Sequence, residues 1–259
     1  MDTLQIVILL AAGLLSGIVN TLAGSGSLVT LPALIFAGLP PTIANGTNRV
    51  AILLQCVTGV WSFKHHNKLP LKHGLKLSIP AIIGALIGAA LAVKLNEELL
   101  RIIIGTIMVL MLAVMLIKPK RWLPSDKQEV RQRLDWPQGI ALFCIGLYGG
   151  FIQAGIGIFL LAGLVMSVGY DLVRANALKL LIVLVYTPFA LGVFVFNDMI
   201  NWEAALYLSI GGIAGAVIAA RMAVSWGPKF VRWVLFGVVG LSALYMFGVV
   251  EWVWEMMGS

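Results

Sequence analysis

Charge is what this chain lacks. Of its 259 residues only 11% are Asp, Glu, Lys or Arg, against 60% hydrophobic, and the mean hydropathy is +0.99. A soluble domain carries about a quarter charged residues because its surface must be wetted, so a soluble enzyme is excluded. Cysteine is scarce as well. Cys56 and Cys144 lie in apolar runs without metal-ligand or redox spacing and read as small buried hydrophobes. No Lys or Arg precedes the first apolar run and no small-x-small cleavage site follows it, so this segment is expected to stay in the mature protein.

A third absence is chemical. All eleven carboxylates fall in termini, loops or segment ends, and the three histidines, His65, His66 and His73, fall in one basic loop. The apolar segments therefore offer no proton relay. The string Gly24-Ser25-Gly26-Ser27 has no histidine to activate a serine as nucleophile. His65-His66 has no carboxylate or cysteine at ligand spacing, so neither a metal, another cofactor nor an enzymatic activity is expected. The net charge of +7 comes from short loops between apolar runs, which points to membrane orientation and not to nucleic acid.

Long apolar runs are what the chain does have. No charged side chain occurs in the 46 residues from Thr3 to Asn48, nor in the 35 from Trp136 to Tyr170. Roughly 20 apolar residues span a bilayer as helix, so each stretch can enter and turn within it. The runs fall near 4–22, 27–39, 43–63, 77–93 and 99–117, then 137–153, 156–169, 173–196, 204–220 and 230–250. Those at 27–39 and 156–169 reach only about 20 Å as helix and are expected to be half-helices or short spans. Residues 1–117 form a first transmembrane repeat, 118–136 a basic linker and 137–259 a second repeat. Thirteen of the 18 Lys and Arg lie in the loop at 64–76, the linker and the flanks of 221–232, which places these inside and both termini outside.

Sliding the chain against itself by 131 residues pairs Ala23, Gly24 and Gly26 with Ala154, Gly155 and Gly157. The same register pairs Ala44-Asn45 with Ala175-Asn176, Gly84-Ala85 with Gly215-Ala216 and Arg101 with Arg232. The basic loop at 64–72 aligns with the acidic loop at 195–203, so the halves are expected to be inverted. The fold class that follows is all-α integral membrane, an inverted structural repeat of two five-segment halves with about 8–10 transmembrane or re-entrant helices. Inverted repeats recur in secondary transporters, whose sites lie where both halves break their helices.

Two constellations sit at such places. The first is Asn20, Thr21, Gly24, Ser25 and Gly26 with its repeat mate Gln153, Gly155 and Gly157. Glycine lets half-helices meet tip to tip, and a helix N-terminus suits an anion. The second is Asn45, Asn48 and Arg49, matched by Asn176 and Lys179. Each cation lies about 9 Å inside its helix start by helical rise, and a cation at that depth is a functional candidate. Together these residues are expected to bind a small anionic substrate, which an inside-negative potential drives outward.

The residues Leu22-Ala-Gly-Ser-Gly-Ser-Leu-Val-Thr-Leu-Pro32, Ala44-Asn-Gly-Thr-Asn-Arg49, Phe63-Lys-His-His-Asn-Lys-Leu-Pro70 and the small-residue helix from Pro80 to Ala92 resemble the sulfite exporter TauE/SafE family of membrane permeases. The resemblance implies an inner-membrane permease of eight or so helices for sulfur-containing or carboxylate anions, and the inverted repeat adds the expectation of alternating access in the lipid bilayer. Its rivals are a ten-helix drug or metabolite exporter and a membrane scaffold docking through the linker. The sequence leaves open whether the chain forms a homo-oligomer.

Overall fold

A computed structural model describes residues 1–65, 69–116 and 135–222. Most of the basic linker and the tenth apolar run, 230–250, lie outside the described residues. The described elements are helices α1 (Thr3–Ala23), α2 (Ser27–Phe36), α3 (Pro41–His65), α4 (Leu71–Ala92), α5 (Glu97–Leu116), α6 (Trp136–Phe151), α7 (Ile156–Gly163), α8 (Leu172–Phe196) and α9 (Trp202–Met222), with a π-helical turn at Leu164–Val168 after α7. No strand occurs among them. By length and composition four of the described helices can cross a membrane: Thr3–Thr21, Leu71–Ala92, Val173–Phe196 and Trp202–Ala219. The short apolar helices Ser27–Phe36 and Ile156–Val168 sit where the short runs were expected.

Local chemistry explains the helix starts. Asp2 and Asp135 each form a capping box, with Gln5 and Gln138 respectively. The Asp171 carboxylate accepts from the amides of Val173 and Arg174, both at 3.0 Å. Glu97 reaches across from α5 to accept from the Thr42 amide at 3.0 Å and from the Thr42 hydroxyl, tying down the start of α3. Each carboxylate supplies an acceptor to amides that lack intrahelical partners.

One sequence expectation shifts. His73, read as part of a basic loop, lies in the first turn of α4, because that helix begins at Leu71, before the apolar run proper. Lys72 and Lys76 join the same helix. The Nδ1 of His73 lies 2.7 Å from the Tyr170 hydroxyl.

The helices pack as two apolar clusters that do not coincide with the first and second stretches of the chain. One gathers α1, α2, α5 and the start of α9; the other gathers α4, α6, α7 and α8. α4 has gone over to the later helices and α9 to the earlier ones, so the two stretches are interlocked. Small residues allow the close approach, as expected for the Gly84/Gly88 and Gly211/Gly215 pairs. A Cβ on Gly84 would lie 2.7 Å from the Leu147 amide nitrogen, and one on Gly211 would lie 2.9 Å from that of Leu14. Backbone meets backbone along α4–α6 and α1–α9.

The packing makes a paired prediction. In Gly150→Ala the new methyl would sit 2.5 Å from the Ala85 Cα, against backbone that cannot yield cheaply, so stability should fall by about 1–3 kcal/mol. A methyl added at Gly192 would have nothing within 4 Å, so Gly192→Ala should gain about 0.5–1 kcal/mol from helix propensity. Thermal unfolding of the detergent-solubilised variants reads both, and equal behaviour would contradict the packing described.

Candidate functional site

The chain breaks its helices twice in the interior. After α1, Gly24 turns left-handed at φ 74; before α7, Gly155 does so at φ 70, beside Gln153 at φ 58. The two breaks touch. A Cβ on Gly24 would lie 2.9 Å from the Gly157 Cα, and one on Gly157 would collide with the Gly24 carbonyl. Gly26 is pressed against Ser16 and Asn20, and Gly155 faces Met111 and Leu28. The two glycine breaks picked out in the sequence therefore lie against each other.

Breaking a helix leaves its last carbonyls without intrahelical donors. At the end of α1 the Asn20 carbonyl, which takes the Gly24 amide at 2.9 Å, accepts also from Lys179 Nζ at 3.0 Å, and the Thr21 carbonyl accepts from Asn176 Nδ2 at 2.9 Å. The Asn176 Oδ1 also accepts from Lys179, at 2.6 Å. At the end of α6 the Gly149 and Gly150 carbonyls accept from the Arg49 guanidinium at 3.0 and 2.5 Å, and the Phe151 carbonyl accepts from Asn45 Nδ2 at 2.7 Å. Asn45 Oδ1 takes a longer bond from Arg49, 3.4 Å. A cation and an amide from α3 thus close the end of α6, while a cation and an amide from α8 close the end of α1. A helix C-terminus carries a partial negative charge, so each cation sits at the attractive end of the dipole.

Both cations are buried, Arg49 at 0% and Lys179 at 1% exposure. Arg49 also lies 4.6 Å from the Phe194 ring centroid. No carboxylate accompanies them: Asp2, Glu97, Glu98, Asp135, Asp171, Asp198 and Glu203 are all exposed. Among the described residues the interior therefore holds positive charge balanced only by backbone and amide dipoles.

Polar valence is left over around the breaks. Ser25 Oγ, Asn48 Nδ2, Arg49 Nε and Gln153 Oε1 are buried without a hydrogen-bond partner. The two nitrogens are obligate donors and the serine hydroxyl can donate. Asn48 is oriented by the Thr30 hydroxyl, which donates to its Oδ1. Gln153 is oriented by bonds from its Nε2 to the Tyr186 hydroxyl at 3.3 Å and Thr187 Oγ1 at 3.2 Å. Thirteen residues stand out in the sequence, and all of them lie at the two breaks or on the helices that clamp them.

A model of the family described as sulfite exporter TauE/SafE matches residues 9–246. The chain belongs to the sulfite exporter TauE/SafE family. It is similar to a probable membrane transporter protein, ORF9, of Sinorhizobium sp, 26% identical over 86% of this chain and 85% of that one. It is also similar to the probable membrane transporter protein YfcA of Escherichia coli K12, 27% identical over 87% of this chain and 83% of the relative. A probable membrane transporter protein of Haemophilus influenzae is 23% identical over 87% of this chain and 88% of its own. No solved structure matches the chain.

Sequence reasoning missed several polar residues that the TauE/SafE fold brings to the breaks. Gln55 Oε1 accepts from Asn20 Nδ2 at 3.1 Å, and Gln55 Nε2 lies 3.3 Å from Ser16 Oγ. Cys56, read only as a small hydrophobe, lies against the Asn20 side chain and within electrostatic reach of Lys179. Tyr186 and Thr187 flank Gln153. A signal was present: Gln55 and Tyr186, and Cys56 and Thr187, are each 131 residues apart. They are the polar interruptions of α3 and α8 at the repeat register.

If Asn176 holds Lys179 and the end of α1 together, Asn176→Leu leaves the Thr21 carbonyl unpaired and should cost about 1–3 kcal/mol. The neighbouring thiol supplies a second readout. In a Cys144→Ser background, Cys56 should be protected from maleimide in the parent and labelled faster after Asn176→Leu. Unchanged stability and labelling together would contradict the clamp.

Proposed function

We propose that this membrane transporter carries a small oxyanion of the sulfite or sulfonate class, and that the anion binds where the two helix breaks meet. The observation that carries the reading is the charge of the interior. Among the described residues two buried cations have no buried carboxylate, and three unpartnered buried groups able to donate accompany them. A cation substrate would meet repulsion there. An anion would complete the donors of Ser25, Asn48 and Arg49, with Lys179 adding positive potential. The family's description supports a sulfur oxyanion as cargo.

Alternating access is the proposed mechanism. We read residues 1–117 and 137–259 as halves inverted in the bilayer, joined by the linker at 118–136 on the cytoplasmic side, with both termini outside. Support comes from the sequence register of 131 and from the backbone. The left-handed glycines Gly24 and Gly155 are 131 apart, as are Gly38 and Gly169. The same offset carries α1 onto α6 and α4 onto α9, so the packed pairs α1–α9 and α4–α6 exchange. Two halves so related can swap conformations and open the contact between breaks to each side in turn. No covalent step is required, and the inside-negative potential drives an anion outward by about 2.3 kcal/mol per charge per 100 mV. The cargo crosses the inner membrane in the direction of export.

The test is charge displacement in reconstituted protein on a solid-supported membrane, after rapid addition of sulfite, sulfate, thiosulfate, sulfoacetate, taurine or simple carboxylates. Wild-type protein should give a saturable current with at least one oxyanion. Asn48→Leu and Lys179→Gln should reduce it at least tenfold while eluting as folded protein. Currents with organic cations and none with the anions would overturn the proposal, as would anion currents unchanged in both variants.

A further inference from the structure

A second feature lies away from the breaks, at the end of α4 that begins with Leu71. Along the exposed surface where α4 packs on α6 lies a groove of about 850 Å³ lined by Ile79, Pro80, Ile83, Gly139, Ile140 and Phe143. Its floor is apolar, and its walls project Ile79, Ile83 and Ile140, each more than half exposed. One end of the groove is polar, formed by Lys76, Asp135 and Trp136. Lys76 also borders a smaller pocket of about 550 Å³ with Lys72, His73 and Tyr170. An apolar trough therefore runs directly into a basic pocket, and Lys76 belongs to both.

We infer that this trough and pocket form a binding site for one phospholipid with an anionic headgroup, an acyl chain lying in the α4–α6 groove and the phosphate held by Lys72 and Lys76. The charge fits that ligand. Basic residues at the end of a spanning helix attract anionic headgroups, and basic pockets between helices hold them. The acid in the set, Asp135, is turned to the start of α6, where its carboxylate accepts from the Gln138 amide in the capping box. Within the pocket His73 donates or accepts at Tyr170 through Nδ1, while its buried Nε2 has no partner. Trp136 is 84% exposed at the mouth of the groove, the position an indole takes at the headgroup level.

The chain contains its own control. At the 131 offset, α9 carries Glu203 and Tyr207 where α4 carries Lys72 and Lys76. Glu203 is paired with the N-terminal amine at 3.3 Å. α9 thus lacks the basic pair that α4 carries, so the lipid site belongs to one side of the molecule. Nothing in transport through the helix breaks requires it.

Native mass spectrometry of the full chain, delipidated and then exposed to defined lipid, tests the site. Phosphatidylglycerol should be retained in preference to phosphatidylcholine. The preference should fall about tenfold or more in K72Q/K76Q, as loss of two near-surface charges predicts. Ile140→Trp should weaken retention of both lipids by filling the groove, and Glu203→Gln should change neither. Inorganic phosphate should compete only weakly, because it lacks the chain. Equal retention of the two lipids, or a preference unmoved in K72Q/K76Q, would overturn the inference. Displacement of the lipid by millimolar phosphate alone would also overturn it, by marking a free-anion site. All variants should elute as wild type does, and K72Q/K76Q should transport normally, which keeps this result separate from the fate of the oxyanion reading.

Discussion

The carbonyls at two broken helix ends are the constraint on which the rest of this structure depends. A polar backbone group left unpaired away from water costs about as much as the hydrogen bond it lacks. Irregular backbone at membrane depth is tolerated only where protein or a lined cavity satisfies it. Here the satisfaction is reciprocal: Arg49 and Asn45 on α3 close the end of α6, while Lys179 and Asn176 on α8 close the end of α1. Each break is thus closed in part by a segment distant in sequence. The interlocking of α4 and α9 with the opposite clusters brings those segments together.

The same arrangement explains how two basic side chains can be buried without a carboxylate partner among the described residues. Helix ends contribute partial negative charge and the asparagines add their carbonyl oxygens, which offsets part of the desolvation cost. The compensation is by dipoles and is incomplete. On the reading proposed above, an anion would complete that compensation, and in doing so it would compete with helix-end carbonyls for the same cations. That competition links occupancy of the site to the positions of α1 and α6, the helices that flank the two breaks. A membrane-spanning carboxylate would quench this coupling, and its absence from the apolar segments is consistent with the role proposed for them.

Much of this was legible in the sequence, for physical reasons that are local. The runs at 27–39 and 156–169 stop at glycine breaks and read as half-helices or short spans, and the structure places the short helices α2 and α7 there. Asn45, Arg49, Asn176 and Lys179 stood out because polar groups are costly in apolar helices. What each of them touches was not legible. The partners lie 100 or more residues away, and only tertiary packing brings Arg49 to Gly149 or Lys179 to Asn20. Cys56 reads as a plain hydrophobe because a thiol in an apolar run carries no sign of its neighbours. The exchange of α4 and α9 was equally hidden, since nothing in a helix's own pattern says which cluster it joins. His73 was misplaced because a helix start rich in Lys reads as loop until its capping and packing are known.

The central claim is that one oxyanion occupies the meeting point of the two breaks and is held by the donors now lacking partners. Anomalous diffraction from crystals of the protein soaked in selenite, a heavier counterpart of sulfite, addresses it directly. A single strong selenium peak is expected within hydrogen-bonding distance of Asn48 Nδ2, Arg49 Nε and Ser25 Oγ, weakened in Asn48→Leu. Selenium bound elsewhere in the membrane interior, with those three groups still unoccupied, would contradict it.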